Sequence, residues 1–279
     1  MTVLDDTNPA RNLAMITGAT KIIGIVGTPI VQVKMPEMLN AALAERRLDV
    51  TMVPLEIGRD GIDAFVTVLR NWKNLLGCVV TVPYKQTLMP YMDEASARAR
   101  RLQAVNVIRR NADGSLVGDM IDGQGFVSAL RGNGFEPRGQ RAAVIGAGGV
   151  GSAIADALCE AGAQSLAMTD RETARLDRVV AMLTATAGQT RISREIGTLG
   201  NYDLVVNATP SGMNGDPSLP LPEDALRDLR PDTFVADVVT VPQITPFLAA
   251  ARARGGRIQT GADMARTQVE LLGSFVGAL

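Results

Sequence analysis

The chain carries the stretch Val144-Ile145-Gly146-Ala147-Gly148-Gly149-Val150-Gly151-Ser152-Ala153, in which three glycines form the pattern G-x-G-x-x-G between an apolar run and a helical pattern. Gly146 permits a tight turn, Gly148 lets backbone approach a pyrophosphate, and Gly151 lets helix and strand pack closely. The amide groups that begin the helix suit phosphate binding. A glycine turn without a ligand is the alternative. The pattern predicts a dinucleotide-binding loop that comprises Gly146, Ala147, Gly148, Gly149, Val150 and Gly151.

Two charged residues follow the next apolar run and bear on the choice of dinucleotide. Asp170 ends that run nineteen residues beyond Gly151, where an acid hydrogen-bonds the adenosine ribose hydroxyls. Its carboxylate would repel a 2′-phosphate, which favours NAD. Arg171 could instead hold that phosphate, so NADP stays possible, or it could be a solvated charge at the start of a helix.

On both sides of this loop, short β-branched runs alternate with longer helical patterns. The expected strands are Ile22–Val26, Val50–Leu55, Cys78–Val82, Ala104–Arg109, Ala142–Ile145, Ser165–Thr169, Leu204–Asn207 and Phe234–Val239. The expected helices are Pro36–Arg47, Ile62–Trp72, Val150–Ala161, Glu172–Ala187 and Ala262–Gly277. Apolar strands separated by helices indicate parallel sheets that are buried on both faces. A polar stretch near Arg131–Arg141 separates two such sets, so we expect two α/β units, with the last helix returning to the first unit.

Composition excludes several classes of protein. The 279 residues carry 28 Lys plus Arg against 29 Asp plus Glu, so no basic surface for nucleic acid is expected. No apolar run reaches the roughly 18 residues of a membrane span, and the acidic N-terminus is not expected to be a secretory leader. Cys78 and Cys159 lie in apolar segments and predict buried thiols in a reducing compartment such as the cytoplasm. The chain has no histidine, which makes a zinc site unexpected and leaves proton transfer to other side chains.

Polar residues follow several of the apolar strands, where a purely structural core would not favour them. Lys85 ends the segment Val79–Lys85, Asn106 lies inside an apolar run, and Asp122 begins a glycine-rich helix start. The segment Asn207-Ala208-Thr209 follows another strand. Each has an ordinary structural explanation when taken singly, such as an N-cap for Asp122.

Along nearly the whole chain, seven segments resemble the shikimate and quinate dehydrogenase family, and they occur in a consistent order. They are IIGIVGTPI, VTVPYK, AVNVI, GSLVGDMIDGQGF, NATPSGM, VADVVTVPQITPFL and TGADMARTQVELL. The resemblance implies an α/β fold with two domains and an active site in the cleft between them. A substrate-binding domain would comprise residues 1–122 and 246–279, and a Rossmann NAD(P)-binding domain residues 123–245.

The same resemblance implies roles for individual residues. Lys85 matches the catalytic lysine of the family and Asp122 its partner aspartate, which would orient the lysine and bind a neighbouring hydroxyl. Without histidine, this pair is the natural proton carrier. Thr81, Asn106 and Gln268 match residues that hydrogen-bond the substrate. Six further positions are implied to line the nicotinamide pocket: Asn207, Ala208, Thr209, Val238, Gly261 and Met264, although Met264 could equally be core filler.

One loop departs from the family pattern Ser-x-Ser-Lys-Ser-Pro, whose first two serines bind the substrate carboxylate. This chain has Val31, Val33 and Met35 at the serine positions and keeps Lys34 and Pro36. Three other changes point the same way: Val79 replaces an asparagine, Met120-Ile121 replaces an asparagine–threonine pair, and Thr240 replaces a carboxylate-binding tyrosine.

The carboxylate half of the site is therefore predicted to be apolar, with Val31, Val33 and Thr240 facing the substrate. We expect an NAD(P)-dependent dehydrogenase that transfers hydride to or from a small cyclic alcohol or ketone other than shikimate. An ordinary shikimate or quinate dehydrogenase, with Lys34 or Arg266 holding the carboxylate, is one alternative. A non-catalytic NAD(P)-binding regulator is another. The sequence leaves a monomer or a homodimer open.

Overall fold

A computed structural model describes residues 16–279, which divide into two compact units. The first contains the described residues up to Ala99, together with Gln103–Asp119 and Val269–Leu279. The second contains Arg100–Leu102 and Met120–Gln268.

The first unit is built on a mixed six-stranded sheet in the order β2-β1-β3-β5-β6-β4. Its strands are β1 (Lys21–Gly27), β2 (Val50–Glu56), β3 (Leu75–Val80), β4 (Glu94–Ala95), β5 (Val107–Arg110) and β6 (Leu116–Asp119). Its helices are α1 (Met35–Glu45), α2 (Ile62–Asn71) and the start of α3 (Ala97–Leu102). Strands β1 and β3 are parallel neighbours, so the loops that follow them lie at the same edge of the sheet.

The sequence explains the helices of this unit. Pro36 lies in the first turn of α1, where its missing N–H has no partner to lose. In α2 the buried residues recur at helical spacing: Ile62, Phe65, Val66 and Leu69. One apolar face of α2 is therefore buried, and α1 packs beside β2.

The second unit has a parallel six-stranded sheet in the order β12-β11-β10-β7-β8-β9. Its strands are β7 (Arg141–Ile145), β8 (Ser165–Thr169), β9 (Arg191–Ser193), β10 (Leu204–Asn207), β11 (Phe234–Asp237) and β12 (Ile258–Gln259). The helices are α4 (Asp122–Gly132), α5 (Gly149–Glu160), α6 (Thr173–Thr186), α7 (Glu223–Leu226), α8 (Pro246–Ala253) and the first part of α9 (Gly261–Phe275). Counted from β7, this is the doubly wound order 3-2-1-4-5-6, and the strand order reverses between β7 and β10.

The end of α9 packs on the first unit, which confirms the predicted return of the last helix. Arg46 pairs with Glu270 at 2.5 Å, and the Arg109 guanidinium lies 5.5 Å from the centre of the Phe275 ring. At Gly77 a Cβ would meet Val276 at 2.9 Å, so glycine permits this close approach.

The predicted element types hold, with several differences in extent and direction. Strand β3 begins and ends earlier than Cys78–Val82, and β5 begins only at Val107, which leaves Asn106 outside it. Strands β5 and β6 are antiparallel, because the turn at residues 111–114 joins them directly, whereas a parallel pair needs a long crossover. The sequence pattern did not predict the short elements α3, β4, β6, β9, α7 and β12, and it did not predict α8.

The compact units also have limits different from the predicted domains. The polar stretch near Arg131–Arg141 does not separate them, since α4 already belongs to the second unit. Residues 246–268 likewise belong to the second unit, because β12 pairs with β11 through Val235 and Ile258. The assignment of 1–122 and 246–279 to substrate binding remains a prediction about function.

Among residues 16–279, no helix is long and apolar enough to cross a membrane. The N-terminal segment that was expected not to be a secretory leader lies outside the described residues. The two cysteine side chains are buried and free, and burial raises the pKa of each thiol to about 12.

Candidate active site

The glycine loop between β7 and α5 has the geometry that a pyrophosphate cradle requires. Gly146 has φ +104°, and a Cβ on Gly151 would lie 2.0 Å from the Gly146 carbonyl oxygen. At Gly148 and Gly149 a Cβ would meet nothing within 4 Å, so the backbone there faces open space. Gly148 is also the N-cap of α5. Gly146 therefore makes the tight turn, Gly148 leaves its backbone open to a ligand, and Gly151 allows the helix to pack closely on the strand. The loop fits a dinucleotide.

The other two residues of the predicted loop serve it through their backbone. Ala147 is 2% exposed, and the Val150 side chain packs against the core of the second unit. The Ala147 side chain is therefore not available to a ligand, and that of Val150 is only partly exposed. The N–H groups in the first turn of a helix lack intrahelical partners and suit an anion.

A pocket of about 520 Å³ opens beside this loop, at the carboxyl ends of β7, β8 and β10. Its lining includes six predicted cofactor residues: Gly146, Gly148, Asp170, Arg171, Ala208 and Thr209. The pocket lies at the point where the strand order reverses, which is where doubly wound sheets bind ligands. The sheet topology and the motif thus indicate the same place.

Asp170 is fixed at the end of β8 by two backbone amides. Its Oδ2 accepts a hydrogen bond from the Ala147 amide at 2.7 Å, and its Oδ1 accepts one from the Glu172 amide at 2.8 Å. Its carboxylate therefore ties the glycine loop to the start of α6, in addition to lining the pocket.

Asn207 lies in a buried polar network at the ends of β10 and β11. It is fully buried, and its Nδ2 donates to Asp237 Oδ2 at 3.1 Å while its Oδ1 accepts from Thr209 Oγ1 at 2.6 Å. Asp237 also accepts from the Thr245 hydroxyl and from the Val239 amide. Burial raises the pKa of Asp237, although these hydrogen bonds oppose the rise. Asn207 therefore shapes the Asn207–Thr209 turn through hydrogen bonds.

The remaining residues predicted for the nicotinamide pocket pack together in the second unit. Met264 is 6% exposed and belongs to the same apolar cluster as the partly buried Ala208 and Val238. A Cβ on Gly261 would lie 2.5 Å from the Val238 carbonyl oxygen and 2.4 Å from that of Val239, so only glycine fits there. The packing of Met264 agrees with its alternative reading as core filler.

Asp122 and Gln268 were predicted separately, and the structure joins them. The Gln268 Nε2 donates to Asp122 Oδ1 at 2.9 Å. Two glycines permit this contact: a Cβ on Gly123 would lie 2.1 Å from the Ala153 carbonyl oxygen, and one on Gly125 would lie 2.5 Å from Gln268 Cγ. The segment Asp122-Gly123-Gln124-Gly125 is therefore packed closely on α5 on one side and on Gln268 on the other.

In the first unit, Thr81, Lys85 and Asn106 come together at one edge of the sheet. The Thr81 amide donates to the Val26 carbonyl at 2.9 Å, and the Asn106 carbonyl accepts from the Val80 amide at 2.7 Å. The Val105 amide donates to the Lys85 carbonyl at 2.9 Å. Backbone hydrogen bonds thus anchor all three residues around the end of β3.

The buried side chains around Lys85 hold its segment in place. Tyr84 is 1% exposed and donates its hydroxyl to the Ile57 carbonyl, and Leu88 is fully buried. Lys85 itself is half-buried, and Asn106 is 2% exposed. The backbone thus places Lys85 and Asn106 near the same strand end, and an ammonium and an amide are groups that can bind a hydroxyl, with which the lysine can exchange a proton.

The valine loop (residues 28–34) follows β1 at the same edge. Its Thr28 amide donates to the Val82 carbonyl at 3.2 Å, which joins it to the loop after β3. Val31 is 90% exposed and Val33 is half-buried. Lys34 pairs at the surface with Glu37 at 3.3 Å. The loop therefore presents apolar side chains at the edge where Thr81 lies.

The other positions that depart from the family pattern are mostly buried. Val79, Met120 and Ile121 are 6%, 1% and 3% exposed, whereas Thr240 is exposed. Arg266 pairs with Asp263 at 3.1 Å. Both basic residues considered for carboxylate binding, Lys34 and Arg266, thus already have acidic partners three residues away in the chain.

The sequence reading missed part of the pocket lining, including Arg175, Pro210, Ser211, Pro220 and Leu221. Arg175 could have been found, since it lies in the first turn of α6, four residues after Arg171 in the chain. Pro220 and Leu221 lie in a loop without a periodic pattern, so the sequence carried no signal for them.

A doubly wound parallel sheet with this glycine loop defines the class of dinucleotide-binding α/β proteins. Comparison with known proteins gives the family. Residues 25–108 match the shikimate dehydrogenase substrate binding domain, and residues 131–215 match shikimate / quinate 5-dehydrogenase. The chain belongs to the shikimate dehydrogenase family.

Individual relatives agree over nearly the whole length. A shikimate dehydrogenase (NADP(+)) of Rhodospirillum rubrum is 37% identical over 248 residues, which is 86% of each chain. Shikimate 5-dehydrogenase of Listeria monocytogenes, solved with shikimate and NAD, has a TM-score of 0.87 at 27% identity and covers 95% of this chain and 94% of its own. A 5-ketofructose reductase of Gluconobacter has a TM-score of 0.84 at 25% identity, covering 92% of each chain.

Proposed function

We propose that this protein is a dehydrogenase of the shikimate dehydrogenase family that interconverts a ring alcohol and its ketone on a substrate without a carboxylate at the shikimate position. The observation that carries the proposal is the valine loop, with Val31 90% exposed at the position of a carboxylate-binding serine in the family. Valine side chains offer no hydrogen-bond donor to a carboxylate, so this loop has lost the groups that would favour a carboxylate over a neutral substituent.

The comparison with 5-ketofructose reductase supports this proposal. That enzyme shares the fold, and its name denotes a ketone without a carboxylate. The same architecture thus accommodates such a substrate. The partner we propose for this chain is accordingly a small cyclic alcohol or ketone.

In the proposed mechanism the two units supply different groups. Lys85 and Asp122 carry the proton to and from the substrate oxygen, and Thr81, Asn106 and Gln268 bind its hydroxyls. The glycine loop holds the pyrophosphate, and Asp170 binds the adenosine ribose. When bound, the nicotinamide supplies or accepts the hydride. We propose NAD as the preferred dinucleotide, because the Asp170 carboxylate lies in the pocket.

Steady-state kinetics on a substrate panel tests the proposal. The panel contains shikimate, quinate and carboxylate-free cyclic alcohols and ketones, each with NAD(H) and NADP(H). We expect turnover of a carboxylate-free compound and weak turnover of shikimate. A kcat/KM for shikimate of about 10⁴ M⁻¹ s⁻¹ or more would instead establish an ordinary shikimate dehydrogenase, the candidate that its 37% identical relative favours. Binding of NADH without any turnover would indicate a regulator.

The variant Lys85→Ala tests the proton carrier on whichever substrate the panel yields. Removing a general acid–base group lowers kcat by about 10²- to 10⁴-fold, and we expect a loss in this range with unchanged cofactor affinity. Lys73→Ala is the matched control, because Lys73 is exposed and precedes β3 instead of following it. Retained activity in Lys85→Ala would remove the assignment.

The proposed setting is the cytoplasm, in line with the two buried free thiols. The described residues contain no group of three or more metal-ligating side chains that could hold an ion.

A further inference from the structure

The end of β8 and the start of α6 place four charged groups beside the dinucleotide pocket. Asp170, Arg171 and Arg175 line the pocket, and Glu172 lies between them in the chain. Two acids and two arginines give this cluster no net charge. Discrimination between NAD and NADP then depends on how these groups pair, because NADP adds a phosphate dianion to the adenosine ribose.

Asp170 cannot move aside easily. Both of its oxygens accept hydrogen bonds from backbone amides, at 2.7 Å and 2.8 Å, and its side chain is 8% exposed. Its carboxylate therefore stays at the pocket wall whichever dinucleotide binds.

Arg175 is held by two carboxylates. Its Nη2 donates to Glu172 Oε2 across one turn of α6, and its Nη1 lies 3.5 Å from Asp170 Oδ2. Its side chain is nevertheless 42% exposed, so the guanidinium remains accessible from the pocket. A phosphate that used Arg175 would have to displace Glu172 or lie next to its carboxylate.

We propose that Glu172 determines nucleotide specificity by holding the Arg175 guanidinium, which a 2′-phosphate would otherwise bind. Glu172 itself lies outside the pocket lining and acts through Arg175, so it is a positioning residue. The Asp170 carboxylate is fixed by its backbone hydrogen bonds and disfavours a 2′-phosphate in either case. Glu172 is half exposed, so it can be substituted without disturbing the glycine loop. The inference rests on the proposed dinucleotide site.

The test is calorimetric titration of the full-length wild type and Glu172→Gln with NADH, NADPH, 5′-AMP and 2′,5′-ADP. These ligands need no substrate, so binding is read without turnover. We expect Glu172→Gln to increase the affinity for NADPH and 2′,5′-ADP on the order of fivefold. This corresponds to the upper end of the free energy that an exposed ion pair contributes. The affinities for NADH and 5′-AMP should stay unchanged, since neither carries the 2′-phosphate.

Two further variants make the result specific. Glu136→Gln removes the same charge from an exposed, arginine-paired acid outside the pocket lining and should change no affinity. In Glu172→Gln/Arg175→Leu the increase in affinity for NADPH and 2′,5′-ADP should disappear, because this variant lacks the guanidinium that Glu172→Gln releases.

Each outcome has a definite meaning. Equal effects of Glu172→Gln on NADH and NADPH, or none on either while wild type binds NADH, overturn the role of Glu172 and leave the dinucleotide site intact. If the affinity for NADPH still increases in the variant without Arg175, Glu172 does not act through Arg175, and the proposal is overturned. Failure of wild type to bind any of the four ligands overturns the site itself, and the inference with it.

Discussion

Asp203 shows how one carboxylate holds the amino-terminal edge of the parallel sheet. Its Oδ2 accepts from the Arg141 amide at 2.9 Å, and its Oδ1 lies 2.7 Å from Arg141 Nη2 and 3.0 Å from Arg230 Nη2. These partners join the starts of β7 and β10, whose other ends form the pocket wall. The hydrogen bonds from Arg141, followed by those from Arg230, hold the pKa of Asp203 well below its usual value of 3.8.

A pH-dependent loss of stability is expected for Asp203→Asn. Because the folded-state pKa is lowered, the carboxylate stabilises the fold fully above the unfolded value of 3.8, and this contribution fades as the pH falls below it. We expect Asp203→Asn to lower the free energy of unfolding by about 1–2 kcal/mol at pH 7, the scale of charge-assisted hydrogen bonds. Urea unfolding from pH 7 to pH 3 measures it. The gap to wild type should narrow below pH 4, and a constant gap would contradict the assignment.

The exposed ion pair Asp224–Arg227 provides the control for that experiment. Its side chains are 84% and 72% exposed, so Asp224→Asn should change stability by less than about 0.5 kcal/mol at any pH. A comparable loss in both variants would mean that removing any acid destabilises the protein through its net charge.

At the scale of the element, helix α4 contains one glycine in a crowded position and another in an open one. Gly125 faces Gln268, where an added Cβ would lie 2.5 Å from Cγ. Gly132, at the other end of the same helix, would meet nothing within 4 Å. The helix therefore offers a matched pair of positions at which the same substitution acts differently.

We expect Gly125→Ala to displace the Gln268 side chain and break its hydrogen bond to Asp122, lowering kcat/KM roughly tenfold, the value of one hydrogen bond. Gly132→Ala should leave activity unchanged and stabilise the protein by about 0.5–1 kcal/mol, since alanine loses less backbone entropy in a helix. Kinetics and thermal unfolding of both variants check this. Full activity in Gly125→Ala would show that the Gln268–Asp122 contact does not matter for turnover.

Elements with a strong local pattern could be predicted from the sequence, and those held by distant contacts could not. Strand β8 and strand β10 were predicted to the residue, because both are short apolar runs bounded by polar turns. Strand β12 has two residues and exists only because β11 lies beside it. The turn at residues 111–114 joins β5 to β6, but β6 was not predicted, and neither was the mixed sheet that this hairpin creates.

At the scale of the whole molecule, the candidate site was predicted where a motif fixes backbone geometry. The roles of Gly146, Gly148 and Gly151 follow from spacing alone, and the structure confirms the conformations they require. The pairing of Asp122 with Gln268 could not be predicted, since 146 residues separate them in the chain. The pairing of Glu172 with Arg175 needed side-chain geometry as well as sequence.

The substrate choice of the whole enzyme is predicted to depend on the valine loop. Val31→Ser/Val33→Ser restores two hydroxyl donors at positions where the family binds a carboxylate. We expect kcat/KM for shikimate to rise about tenfold, because a hydrogen bond to a charged group contributes at least that much free energy. Val31 is 90% exposed, so the fold should tolerate the change within about 0.5 kcal/mol. Val68→Ser, at a 52% exposed position on α2, is the control and should leave the kinetics unchanged. A double variant that folds normally and gains no activity on shikimate would show that the loop does not select the substrate.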